Sequence, residues 1–141
     1  MIFVTGATGF LGHHLIPALT QAGYQIKALV RPTSSADFLK SHNVEVVVGD
    51  VLDRDSLMEA MKGCRYVIHG AGLFRLWGDQ KSFEQVNAQG TAHVLEAALR
   101  NNVERFIHVS TIAVVGIPEN GRVIDESYPC QPDDFYQRSK Y

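Results

Sequence analysis

The chain is short of the residues that staple or anchor a small protein. It has two cysteines in 141 residues, Cys64 and Cys130. They stand far apart and in no CxxC or Cys/His ligand spacing, which argues against a disulfide framework and offers no metal pattern. Free thiols in a reducing compartment are expected. No apolar run approaches the roughly 18 residues that a membrane helix requires. A charge excess is missing too: 13 lysines and arginines stand against 15 acidic residues. Neither nucleic acid nor an anionic membrane is therefore expected as a partner. No basic segment followed by an apolar one opens the chain; its first residues read as a core strand, and the expected location is cytoplasmic. A hydrophobic content of 45% at this length suits one domain, residues 1–141, with a real core.

What is present concentrates at the N-terminus. Ile2-Phe3-Val4 is an apolar strand that runs into Thr5-Gly6-Ala7-Thr8-Gly9-Phe10-Leu11-Gly12, and an amphipathic helix opens directly afterwards. A strand, a glycine turn and a helix N-terminus make a site for a dinucleotide pyrophosphate, because free backbone N–H groups there point at an anion. Gly6 tolerates the positive φ of the turn, Gly9 admits phosphate to the backbone, and Gly12 lets helix and strand pack closely. The spacing is GxxGxxG rather than GxGxxG, which points to one branch of the dinucleotide-binding folds.

The first helix carries Leu11, Leu15, Ala18, Leu19 and Ala22 at helical spacing and ends at Gly23. Pro17 removes a bond to the His13 carbonyl and is expected to kink it. His13 and His14 read as solvated helix residues rather than metal ligands. Further strands are expected at 25–30, 44–48, 65–69 and 105–110. The unbroken Val46-Val47-Val48 run suggests a third strand covered on both faces. Helices are expected at 35–42, 53–62 and 79–101, the last burying Phe83, Val86, Gly90, Val94, Ala97 and Ala98. Residues 116–131 read as irregular, and a last helix begins near Asp133. This alternation predicts an α/β fold, a Rossmann-type doubly wound parallel sheet with five strands present and right-handed crossovers. Ligands then bind at the carboxyl ends of the strands.

Tyr136 and Lys140 lie four residues apart on the last helix and share a face. A tyrosine titrates near 10, too high for acid–base work at neutral pH, and a nearby ammonium favours its phenolate. Such a pair can exchange a proton with an alcohol or ketone while nicotinamide carries hydride. Ser110-Thr111 ends the fifth strand, where a hydroxyl could bond the same substrate oxygen.

The chain resembles the extended short-chain dehydrogenase/reductases, the NAD-dependent epimerase/dehydratase family, over its whole length. The resemblance rests on TGATGFLG at 5–12, GDVLD at 49–53, HGAG at 69–72, VNAQGT at 86–91, VSTIAVVG at 109–116 and YQRSK at 136–140. It implies a catalytic set of Thr111, Tyr136 and Lys140. It also implies that Asp50 and Val51 meet the adenine, that Gly70, Ala71 and Gly72 meet the dinucleotide, and that Asn87 lies near the cofactor. Together with Gly6, Thr8, Gly9, Phe10, Leu11, Gly12, Tyr136 and Lys140, these form the expected cofactor set. Two departures concern pocket shape: many members have tyrosine at Val115 and alanine at Gly72. The Phe74-Arg75-Leu76-Trp77 segment resembles the dihydroflavonol-reductase-like branch and the hopanoid-associated sugar epimerases. Trp77 either lines the substrate mouth or caps the core.

Arg31 closes the second strand with Ser34 and Ser35 close behind, and a guanidinium fork suits a 2′-phosphate, so NADP is favoured over NAD. The leading expectation is a reductase of a small-molecule ketone or aldehyde. A nucleotide-sugar epimerase or dehydratase recycling tightly held NAD would use the same groups. A cofactor-sensing regulator on this fold would commonly lack the tyrosine–lysine pair.

In the resembled family a substrate half follows the YxxxK helix, so the sequence is expected to be the N-terminal part of a longer enzyme. Its members often dimerise through the two helices flanking the fifth strand. In the chain as given, Tyr136 and Lys140 on a fraying helix end are expected to be poorly held, with the fifth strand left as a bare apolar edge. Weak nucleotide binding and little or no turnover follow.

Overall fold

The computed structural model describes residues 1–75, 77–118, 121 and 123–141; Leu76 of the Phe74–Trp77 segment and part of the irregular stretch lie outside these. Five parallel strands, β1 (Ile2–Thr5), β2 (Ile26–Val30), β3 (Glu45–Val48), β4 (Tyr66–His69) and β5 (Arg105–His108), lie in the order β3-β2-β1-β4-β5. The chain therefore steps outward from β1 to one edge, crosses back, and continues on the other side. That reversal puts β1 and β4 side by side at the topological switch point, where such sheets open a crevice.

β1 is buried throughout, and its pleat sends alternate side chains to opposite faces. Phe3 joins one core with Leu57, Met61, Val67, Val94 and Ala97. Val4 joins the other with Ile16, Ala28, Leu39 and Val44. Helices α1 (Phe10–Gln21) and α2 (Asp37–Ser41) cover the second core, while α3 (Arg54–Ala60) and α5 (Gly90–Arg100) cover the first. Glu96 on α5 pairs with Arg54 of α3 and with Arg100.

Three expectations are corrected. The buried face of α1 runs through Gly12 and Ile16, with Leu15 and Leu19 half-buried beside them, while Leu11, Ala18 and Ala22 are exposed. The apolar stripe is thus rotated by one position, because Gly12 must face the strand. β3 is an edge strand, with Glu45 exposed and Val48 63% exposed, so it is not covered on both faces. Between α4 (Gln80–Phe83) and α5 the chain forms a π-helical turn, Glu84–Gln89, where an unbroken α-helix is expected from periodicity. Pro17 lies inside α1, which continues to Gln21.

Leu57 is fully buried between α3 and the sheet, and Leu99 is 78% exposed on α5. Leu57→Ala is expected to lower unfolding free energy by about 2–5 kcal/mol in urea titration, and Leu99→Ala by no more than about 0.5 kcal/mol. Equal effects would contradict this placement of the core.

Candidate functional site

From Thr5 the backbone turns through Gly6 at φ +74°. A Cβ at Gly6 would stand 2.5 Å from the carbonyl carbon of Gly70, so the turn is pressed against the loop leaving β4. At Gly12 a Cβ would lie 2.1 Å from the Ala7 carbonyl oxygen, which is what seats α1 on the turn. Gly9 differs: its Cβ would meet only the Gly6 oxygen, at 3.3 Å, and its other side is open. The Gly9 backbone precedes α1 without any side-chain cap, so the first N–H groups of a twelve-residue helix are free to receive an anion.

A cavity of about 770 Å³ opens in front of this turn. Gly6, Thr8, Gly9, Arg31, Asp50, Val51, Gly70, Ala71 and Gly72 all line it, as do Ser34 and Ser35. Its size suits a dinucleotide, and a cradle that side chains would fill is the feature such a ligand needs. Among the expected residues, Gly12 serves packing, Phe10 is 86% exposed with its ring edge to face with His14, and Leu11 reaches towards Gly70; none of the three lines the cavity. His13, exposed on α1 as expected, and Phe38, edge to face at 4.1 Å between ring centroids, also line the cavity, as does Arg31.

Asn87 sits on the π-helical turn, buried, with both amide hydrogens and the amide oxygen bonded. Its Oδ1 accepts from Leu73 N–H at 2.6 Å, and its Nδ2 donates to Leu73 O at 3.0 Å and to Ser139 Oγ at 2.9 Å. One side chain thus ties the loop after β4 to helix α6 (Phe135–Lys140). A Cβ at Gly72 would be 3.3 Å from that Oδ1, which places Asn87 directly behind the loop. Asp134 caps α6 by accepting from Gln137 N–H at 2.7 Å.

These bonds correct the expectation that Tyr136 and Lys140 are poorly held. The Tyr136 ring meets Phe74 at 5.0 Å and Phe83 at 6.4 Å, both edge to face. Lys140 Nζ donates to Val109 O at 2.7 Å and stands 3.3 Å from His108 Nε2. Fraying is offset by the Asn87–Ser139 bond, a tertiary contact that helix spacing does not reveal. Thr111 caps a short 3-10 turn, Ile112–Val115, with its Oγ1 accepting from Ala113 N–H at 3.2 Å. Among the described residues no acceptor takes the Thr111 hydroxyl proton. β5 remains an edge strand, as expected, with Ile107 half exposed. Trp77 is 74% exposed and does not cap the core.

Sequence reading missed a buried histidine network. His69 Nδ1 lies 2.7 Å from Thr5 Oγ1, and His69 Nε2 lies 2.9 Å from Thr91 Oγ1. Thr91 gives its own proton to Asn87 O, so its oxygen accepts from Nε2–H. Thr5 Oγ1 accepts Ala71 N–H and gives its proton to Nδ1. Every donor finds an acceptor only when His69 is neutral. Burial, then the neighbouring His108 and Lys140, push its pKa down to about 3. Burial and Lys140 lower that of His108, and burial lowers that of Lys140. The available signal was a histidine ending an otherwise apolar strand, beside Thr5 in register.

Among the described residues no histidine, cysteine and carboxylate cluster could hold a metal, and no helix is long and apolar enough to cross a membrane. Both cysteines are free. The sequence profile of the NAD dependent epimerase/dehydratase family matches residues 2–141. The chain belongs to that family. A Synechocystis sp. protein assigned by name to dihydroflavonol 4-reductase is 38% identical over 99% of this chain and 41% of its own length. The crystal structure of gox2253 superposes with a TM-score of 0.90 at 36% identity, over 100% of this chain and 44% of that one. DesIV, the dTDP-glucose 4,6-dehydratase of Streptomyces venezuelae solved with NAD and TYD, gives 0.89 at 28% identity, over 99% and 48%. This family member spans roughly two-fifths of the length of the curated relatives it matches.

Acid should weaken the fold through His69. Its folded pKa lies below the unfolded value, so stability is complete above about 6.5 and is lost as pH falls towards 3. From pH 7.5 to pH 5 the wild-type chain is expected to lose about 2 kcal/mol more than His69→Gln in urea titrations. Parallel losses would contradict the neutral network.

Proposed function

We propose that the chain is the NAD(P)-binding Rossmann domain, residues 1–141, of a longer NAD(P)-dependent oxidoreductase. The enzyme transfers hydride between nicotinamide and a ketone or alcohol of a small-molecule substrate. The observation that carries this reading is the convergence of α6 and the glycine turn on the same strand ends. A Cβ at Gly72, on the cavity wall, would be 4.0 Å from Lys140 Nζ.

The residues fit the cofactor. Amides of the Gly6–Gly12 turn would hold the pyrophosphate, Asp50 and Val51 would border the adenine, and Gly70, Ala71 and Gly72 would lie along the dinucleotide. Asn87 would brace the loop from behind. When bound, the nicotinamide supplies or accepts the hydride. Tyr136 gives its phenolic proton to the carbonyl oxygen as the carbon is reduced, and takes it back in the reverse direction. Lys140 favours the phenolate that remains and holds the ribose. Thr111 donates a hydrogen bond to the same oxygen.

Arg31, exposed at the end of β2 beside Ser34 and Ser35, favours NADP over NAD, because a guanidinium fork pairs with a phosphate dianion. The complete enzyme is read as cytoplasmic. Exposed Leu95 and Leu99 on α5 support a homodimer face in it. A second reading, an epimerase or dehydratase that retains NAD, is favoured by the NAD-bound dehydratase of the same fold; dinucleotide surviving purification of the complete protein would select it. The retained Tyr136–Lys140 pair weighs against a non-catalytic sensor.

Titration with NADPH and NADH, followed by reduced-nicotinamide fluorescence, tests the cofactor reading. Arg31→Ala is expected to weaken NADPH about tenfold and leave NADH unchanged. Equal effects would remove the NADP preference. In the complete protein, Tyr136→Phe is expected to lower turnover at least about a hundredfold while cofactor binding persists; the isolated 141-residue chain should bind and not turn over. Ketone reduction by Tyr136→Phe at the wild-type rate, or robust turnover by the isolated chain, would contradict the proposal.

A further inference from the structure

His69 and His108 are register partners on β4 and β5, so their side chains leave the sheet on the same face. Their rings stack at 5.4 Å with 24° between planes. His69 cannot turn, since Thr5 and Thr91 hold both its nitrogens. It therefore presents a fixed plane against which the His108 ring lies.

The nitrogen of His108 that faces Lys140 is Nε2, at 3.3 Å from Nζ. An ammonium offers only donors, so Nε2 must carry the lone pair and Nδ1 the proton. That Nδ1 is buried and has no hydrogen-bond partner among the described residues. The other tautomer would aim N–H at an ammonium, so the orphaned donor is the consequence of keeping the lone pair on Lys140. A purely structural histidine at this position would not be expected to leave a buried donor unmatched. Val109 O takes a second hydrogen of Lys140, and an ammonium has a third. A Cβ at Gly72 would stand 4.0 Å from Nζ and 3.3 Å from Asn87 Oδ1, so Lys140 reaches the loop that borders the cavity.

We propose that His108 is a positioning residue for Lys140: its Nε2 lone pair, fixed by stacking on His69, together with Val109 O aims the remaining ammonium hydrogen at the ribose of the nicotinamide half. This rests on the ribose-holding role given to Lys140 above. The neutral state it requires agrees with the lowered pKa of His108 caused by burial and by Lys140.

The test separates the two halves of the dinucleotide. Calorimetric titration of the 141-residue chain with NADPH reads both halves, and titration with 2′,5′-ADP reads only the adenosine half; NADH and ADP serve in the same way if NADH binds more tightly. His108→Leu is expected to weaken NADPH by about five- to tenfold, the worth of one charge-assisted hydrogen bond, with 2′,5′-ADP unchanged. His108→Gln, whose Oε1 can stand where Nε2 stood, is expected to recover affinity to within about twofold. An unchanged NADPH affinity in His108→Leu, or an equal loss of both ligands, would overturn the proposal. Lys140→Ala is the control for the reading beneath it: loss of NADPH affinity there without loss in His108→Leu rejects the role of His108 alone. No loss in Lys140→Ala rejects the ribose-holding role and the proposal with it.

Discussion

The arrangement depends on one close approach, that of the Gly6 turn to the backbone of Gly70 and Ala71. Two parallel strands, β1 and β4, end level with each other, and their loops can share one surface only if no side chain intervenes. A Cβ at Gly6 would meet Gly70 and Ala71 backbone atoms at 2.5–2.7 Å. Because that contact is closed, the free amides at the start of α1 and the Gly70–Gly72 loop border a single cavity. A larger residue there would separate the two walls and leave a pair of unrelated loops.

Around this contact the fold places a hydrogen-bonded frame in which Thr5, His69 and Asn87 each join two other residues. Thr5 reads the Ala71 amide and His69 at once. Asn87 joins the Leu73 backbone to Ser139. The π-helical turn is the element that carries Asn87, and its carbonyl closes the chain of bonds through Thr91. A π-turn shifts the following side chains relative to an α-helix; here it accompanies Gly90, whose Cβ would meet Val51 at 2.8 Å. Low-dielectric burial strengthens each satisfied bond and penalises each broken one. Through the Asn87–Ser139 bond the frame holds α6, a helix of only six residues, against the strand ends.

Much of this was legible in sequence, and the reasons differ by element. The strand–turn–helix at Ile2–Gly12 could be read because glycine at each of three positions answers a distinct steric demand. The alternation of apolar runs and helical spacings was sufficient for five strands in parallel. Arg31, Asp50 and the Gly70–Gly72 loop fell on the cavity because ligands of doubly wound sheets gather at strand ends. The solvent exposure of β3 was not legible, since valine runs look alike in central and edge strands. The rotation of α1 escaped because the stripe was drawn through Leu11, Leu15, Ala18, Leu19 and Ala22, leaving Gly12, already read as the packing glycine, out of the buried face. Beyond the histidine that ends an apolar strand, the joint role of His69, Thr91 and His108 was not legible, because it lies in contacts between elements far apart in sequence, which neither spacing nor composition encodes.

The proposed function requires backbone amides at the two strand ends to receive a dinucleotide. Amide-resolved NMR of the isotopically labelled chain during addition of NADPH addresses it directly. The account predicts saturable shifts concentrated at residues 6–12 and 70–72, with residues at the opposite strand ends, such as Tyr24 and Asn43, unmoved. Saturable shifts confined to that opposite end, or none at residues 6–12, would contradict it.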